Sequence, residues 1–338
     1  MSTSSFSRPR FRLYVERTFS QKFDATLAFV FENWRPMLKY ITLLLLPVCI
    51  VQGFCLEELV SVIGNMSDND VTDSTLVLMG ANYLFTIIFY LGGSILFSAA
   101  VYTLMRIYLR RGERLRGIGW TQCKADLTYC LQREAQVVAV FIGIIIVVAV
   151  LYIGLIALAA VIDSVALLLV MFPIAIGLLV VLQPLMLAFP IVALTDMTLG
   201  QAFRKAWRLG LGTWGSMFAF LLVITLMVSI LANMLSLPWT VCYMIRVLFL
   251  DTSASATMLS WTPVLSVLTY IFGVLMVYVN YLLYSVVMVG LAVLYGHASE
   301  KMEGTSVEHA IDEFEQSSPD GGDADVSKMD EIDEFENL

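Results

Sequence analysis

The sequence predicts an all-α, polytopic integral membrane protein. Its six transmembrane helices form three tandem hairpins, each preceded by a cytoplasmic amphipathic interfacial helix. Three observations carry this expectation. The mean hydropathy is +0.82, and 59% of residues are hydrophobic and 14% charged, whereas about 25% are charged in soluble globular domains. Six apolar runs, at about 38–56, 77–105, 136–162, 164–195, 214–237 and 263–296, each meet the roughly 20 residues that cross a hydrocarbon core of about 30 Å. Of the 20 Lys and Arg residues, all but Arg246 lie before runs one, three and five or after run six. Basic residues in short loops stay cytoplasmic, so both termini are placed there.

Taken in order, residues 1–19 are a basic N-terminus with no apolar core and cleavage site of a signal peptide, which leaves the first span as an uncleaved targeting signal. The membrane domain covers 20–297. It opens on a helix after Ser20 that aligns Phe23, Leu27, Val30 and Trp34 in one stripe. The same pattern returns 180 residues later, with Phe203, Trp207, Trp214 and Met217 matching Phe23, Leu27, Trp34 and Met37. Leu127, Tyr129 and Leu131 stand 100 residues after Leu27, Phe29 and Phe31. Each is an amphipathic segment feeding into a span, which suits a membrane interface. Runs two and six exceed a perpendicular span and must tilt, kink or continue into the cytoplasm. Run two carries a small-residue face, Gly92-Gly93-Ser94 with Ser98, for close helix approach. Run four contains Pro173, Pro184 and Pro190 and reads as a kinked packing helix. The stretch from Val241 to Leu250 is too short to span and reads as interfacial or re-entrant. The five cysteines form no CxxC pair and read as packing residues.

Two regions stand out for their charge. In the loop 106–116, Arg106, Arg110, Arg111, Arg114 and Arg116 face Glu113 alone. Such clusters beside a span set topology, attract anionic headgroups or dock an acidic partner. The five arginines are the candidate headgroup contacts. Residues 298–338 form an acidic tail with fourteen Asp and Glu against two Lys, a composition typical of disorder. In it Ile311-Asp312-Glu313-Phe314-Glu315 recurs as Ile332-Asp333-Glu334-Phe335-Glu336. Ile311, Phe314, Ile332 and Phe335 are the candidate docking residues for a cytoplasmic protein, with avidity if both copies engage.

The stretch Ala202-Phe203-Arg204-Lys205-Ala206-Trp207, followed by Trp214 and an apolar run, resembles the six-span membrane domain associated with some glycerophosphodiester phosphodiesterases, and its stand-alone bacterial relatives. The resemblance covers the layout of 20–297. It implies a bacterial inner-membrane protein. It does not carry the phosphodiesterase activity, which in those relatives belongs to a separate soluble barrel for which this chain has no room.

Apart from Lys39 at the very start of run one, the runs contain no Asp, Glu, Lys, Arg or His, an absence that argues against proton-coupled transport. The amides Gln52, Asn82, Gln183, Asn233 and Asn280 suit hydrogen bonds between helices. Asn82, Gln183 and Asn280 are the candidates for an intramembrane polar cavity, and Tyr270, Tyr278, Tyr281 and Tyr284 flank Asn280. No nucleophile, acid–base pair or metal constellation is legible, so no enzyme activity, cofactor or nucleic-acid partner is expected. The leading expectation is a non-enzymatic inner-membrane protein that organises lipids or protein partners from the cytoplasmic face, with oligomerisation left open. The competing one is a permease or channel for a neutral or amphipathic solute.

Overall fold

The computed structural model describes residues 11–65, 73–112, 115, 117–162, 165–251 and 262–307. Among them every regular element is helical: α1 (Phe19–Glu32), α2 (Trp34–Asn65), α3 (Asp73–Arg111), α4 (Trp120–Ile162), α5 (Val165–Leu185), α6 (Ala188–Leu194), α7 (Leu199–Gly212), α8 (Trp214–Asp251) and α9 (Thr262–Glu303). Six segments are long and apolar enough to cross a membrane: Trp34–Glu58, Val77–Arg111, Trp120–Ile162, Leu169–Leu194, Trp214–Arg246 and Pro263–Glu303. This is the helix set of a multi-pass membrane protein.

The short helices explain themselves locally. Thr18 and Thr198 each begin a helix with a capping box, their hydroxyls accepting from the third backbone N–H while Gln21 and Gln201 accept from the cap N–H. Both helices have 14 residues, and their C-caps, Asn33 and Thr213, leave helical geometry before a tryptophan starts the next span. Before run three no such corner exists. There α4 continues unbroken for 43 residues, about 64 Å, because Leu131-Gln132-Arg133-Glu134-Ala135-Gln136 are all good helix formers. A separate interfacial helix is therefore absent from that unit.

Run four is divided rather than gently bent. Between α5 and α6, Met186 and Leu187 donate to Gln183 and Pro184 carbonyls in tight turns of 3.1 and 3.2 Å. Pro190 has no N–H for the Met186 carbonyl, which accepts instead from Phe189 at 3.3 Å. Run five shows the opposite outcome. The stretch after Pro238, expected to be interfacial or re-entrant, simply continues α8 to Asp251. One proline removes one donor, and the hydroxyls of Ser236 and Thr240 bind back to carbonyls four residues earlier.

Helix α9 is the hub, touching α1, α2, α3, α6, α7 and α8. Close approach is bought by small residues at two places. Gly93 lies against Val48 and Gln52 of α2 and Tyr281 of α9, while Gly92 faces open space. Gly296 lies beneath the backbone of Leu13, so the extended segment before α1 straps across α9. Tyr14 meets Tyr295 edge-on at 5.9 Å, and the Arg17 amide donates to His297 Nδ1 at 3.0 Å. The most buried residues gather at this basic end, in 97–108, 187–193 and 289–298. The α4–α5 hairpin instead exposes Ile145, Val147, Ile153, Val161, Leu169 and Phe172, as lipid-facing helices do.

At the other end, Arg246 pairs with Glu57 of α2, their side chains only 9% and 16% exposed. Breaking a buried pair strands a charge, whereas replacing both partners with apolar residues is often neutral. Arg246→Leu should therefore cost about 3–5 kcal/mol in detergent unfolding, and adding Glu57→Leu should restore most of it. A double variant no more stable than the single would show the pair to be incidental.

Candidate functional site

The basic end presents three groupings of polar side chains. The first centres on Arg106 of α3, which is 9% exposed. It donates to the Ala193 carbonyl at 3.0 Å and to Asp196 at 2.8 Å, and stacks over the Tyr129 ring at 4.2 Å. Asp126 of α4 lies 3.7 Å away and pairs with Arg110 at 2.8 Å. Tyr129 also donates to Asp196 at 3.0 Å, and Arg133 donates to the Met197 carbonyl at 3.0 Å. Asp196 is held below the usual carboxylate range by the bonds from Arg106 and Tyr129. The node clamps the turn between α6 and α7 onto α3 and α4. Of the five arginines expected at headgroups, Arg106 thus spends its donors inside the protein. Arg110 stays 56% exposed beside Asp126, Arg111 donates to Gln122, and Arg114 and Arg116 lie outside the described residues.

The second grouping is a cup of about 670 Å³ at the corner between α1 and α2. Asn33 makes the corner: its side chain donates to the Phe29 carbonyl at 3.1 Å and accepts from the Leu115 amide at 3.1 Å. Tyr40 donates to the Ile118 carbonyl at 2.7 Å and stacks on Trp120. The connecting segment turns at Gly112 and Gly117, whose φ values of 63° and 67° suit glycine. Glu32, Trp34, Arg35 and Lys39 line the cup, with Arg35 over the Trp34 ring at 5.4 Å and Lys39 over Tyr40 at 5.7 Å. Two exposed cations beside an indole can hold a phosphate at an interface.

The third is a knot of cations. Lys22 is 1% exposed and donates to the Ser216 hydroxyl at 2.5 Å. Arg17, Lys301 and His297 stand near it. Because His297 Nδ1 accepts from Arg17, its proton sits on Nε2.

The three amides expected to share a cavity do not meet. Asn280 lines a groove of about 410 Å³ between α3 and α9, with Tyr90, Tyr281 and Tyr284, and its own side chain donates to the Met276 carbonyl at 2.8 Å. Gln183 lines a different groove, between α5 and α8. The Asn82 carbonyl accepts from Thr86 at 2.8 Å. Gln52, by contrast, joins helices, donating to Tyr281 at 2.9 Å and to the Phe89 carbonyl at 3.0 Å. Ile311, Phe314, Ile332 and Phe335 lie outside the described residues.

Sequence reasoning passed over Glu134. It is fully buried, and neither carboxyl oxygen has a hydrogen-bond partner among the described residues; Ser98 and Tyr102 of α3 are its polar neighbours. The signal was present, since Cys123, Leu127, Cys130, Glu134 and Val137 form one buried stripe at helical spacing. Arg35, Lys39 and Lys22 were counted only as topology signals. Among the described residues no group of three or more His, Cys, Asp or Glu is placed to hold a metal ion. No protein-family model, curated protein or solved structure matches the chain.

Burial, and then the charge of Lys301, lower the Lys22 pKa to about 8 from its ordinary 10.5. Between these values the unfolded chain binds the proton and the folded chain does not, so stability rises with pH across this window. Lys22→Met should flatten that rise and be more stable than wild type at neutral pH, read from detergent unfolding against pH. A variant that keeps the wild-type slope would remove Lys22 as its source.

Proposed function

We propose that this chain is a non-enzymatic protein of the bacterial cytoplasmic membrane that holds anionic lipid headgroups at its basic, cytoplasmic face. Its acidic tail recruits a cytoplasmic protein partner. The single observation that carries the lipid half is the cup at the α1–α2 corner, where Arg35 and Lys39 stay exposed beside Trp34 instead of being spent on internal carboxylates. Its basic residues both belong to the start of a span, the depth at which headgroups lie. In this reading the chain consists of three tandem hairpins with interfacial segments, as a stand-alone relative of the phosphodiesterase-associated membrane domain. The matched lengths and caps of α1 and α7, 180 residues apart, support the repeat. The unbroken α4 makes the second unit a fused version of the same plan.

Basic residues near anionic headgroups contribute roughly 1 kcal/mol each. Arg35→Gln with Lys39→Gln should therefore reduce the preference for phosphatidylglycerol over phosphatidylcholine by about thirtyfold. Native mass spectrometry of the full chain with each lipid measures it, and an unchanged preference would defeat the headgroup reading. For the tail, removal of residues 308–338 should empty a crosslinked pull-down of its cytoplasmic partners. An identical partner set after truncation would defeat that half.

A further inference from the structure

We infer that the second copy of the tail motif, residues 332–336, docks into the cup at the α1–α2 corner of its own chain. The side chains that would receive it are open to solvent. Phe31 and Trp34 of the cup are 70% and 51% exposed, and Arg35 and Lys39 are exposed beside them. The ion pairs of the basic end engage Arg106, Arg110, Lys205 and Arg208 and leave these two cations out. Residues 330–336 carry the complementary pattern, with Asp330, Glu331, Asp333, Glu334 and Glu336 around Ile332 and Phe335. The two apolar residues stand three apart, so one helical turn brings them to the same side. Acidic segments with so few apolar residues gain such order on the surface they bind. Ile332 and Phe335 then meet Phe31 and Trp34, while the carboxylates meet Arg35 and Lys39, which lie one turn apart on α2.

Chain length selects the second copy over the first. Lys301 of α9 stands near Lys22 of α1, and the Ser306 amide folds back onto Glu300 at 2.8 Å. The described chain therefore ends, at Val307, close to that crossing. From Lys22 to Glu32 helix α1 runs ten residues, about 15 Å, before the cup begins. The first copy starts four residues after Val307, about 14 Å even at full stretch. It falls short of Arg35 and Lys39. The second starts 25 residues after Val307, with a reach of up to about 85 Å. A segment tethered this way faces the cup at millimolar effective concentration, which favours it over an acidic peptide of another protein. The first copy is left for a partner. A partner that draws the tail away would thereby open the cup to headgroups.

The inference rests on the cup and the cytoplasmic tail of the reading above, but not on lipid as the cup's ligand. To test it, Phe335 is replaced by the photocrosslinker p-benzoylphenylalanine in the full chain, held one per nanodisc in phosphatidylcholine. The crosslink should map to residues 31–40, be lost with Arg35→Gln and Lys39→Gln, and be largely absent when the probe replaces Phe314. Crosslinks that map to α7 or elsewhere, a yield unaffected by the two glutamines, or an equal yield from position 314 would overturn the proposal. In native mass spectrometry, Ile332→Ser with Phe335→Ser should tighten phosphatidylglycerol binding about tenfold, the relief expected on removing a tethered competitor. Ile311→Ser with Phe314→Ser should leave it unchanged. No tightening in the first variant, where Arg35 and Lys39 do govern lipid binding, would overturn the proposal as well. A crosslink mapped to the cup that phosphatidylglycerol fails to displace would uphold the docking and defeat the headgroup reading instead.

Discussion

A mostly buried guanidinium organises the basic end of this protein. Arg106 lies on the second span, and its donors go to a carbonyl of α6 and to a carboxylate in the turn that follows, while Tyr129 of α4 covers its face. A buried charge is tolerated only when paired and hydrogen-bonded. The four segments around it must therefore keep their relative places or leave the charge uncompensated. From this anchor the remaining packing follows. The turn 195–198 is held, which positions the cap of α7. Gly210 of α7 then lies tight against Pro184, at the point where the fourth span breaks. A defect in helix continuity is thus covered by another helix, as broken backbone inside a membrane requires.

The number and placement of the spans were legible because hydropathy reports removal from water, and each apolar run is long enough to report it clearly. Span lengths were legible too, since runs two and six do continue as single helices, 39 and 42 residues long. What a one-dimensional pattern lacks is the neighbour. An arginine beside a span produces the same signal whether it meets a phosphate or, like Arg106, a carboxylate ninety residues away. Amides inside apolar runs look alike, yet Gln52 bridges helices while Asn280 turns back to its own carbonyl. Prolines look alike as well. Pro190 coincides with a break because Pro184 weakens the preceding turns, and Pro238, standing alone in its helix, is absorbed. Glu134 was missed for a related reason. A stretch rich in Gln, Arg and Glu reads as an exposed face, but one of its positions belongs to the stripe that packs on α3.

Charge is also distributed with an economy that counting alone does not reveal. Among the described residues, Arg246, at the end of the bundle away from the basic cluster, is neutralised by Glu57. At the basic end the acidic residues Asp126, Asp196 and Glu303 answer Arg110, Arg106 and Lys205 at 2.7–2.8 Å. Arg35 and Lys39, at the α1–α2 corner, are not drawn into those pairs. Two exposed cations are thus what remains there after these pairs have formed.

The strap formed by residues 11–18 has a consequence in time. Its partners, Tyr295, Gly296 and His297, are made about 280 residues after it. At a synthesis rate of about 5–20 residues per second, the N-terminal segment waits on the order of tens of seconds before its docking surface exists. During that interval Phe11 already has Phe29 and Tyr108 to pack on, while Leu13 still lacks Gly296. The chain is therefore sealed by its last helix rather than its first, and premature termination anywhere before Tyr295 would leave a ribosome product with an open seam.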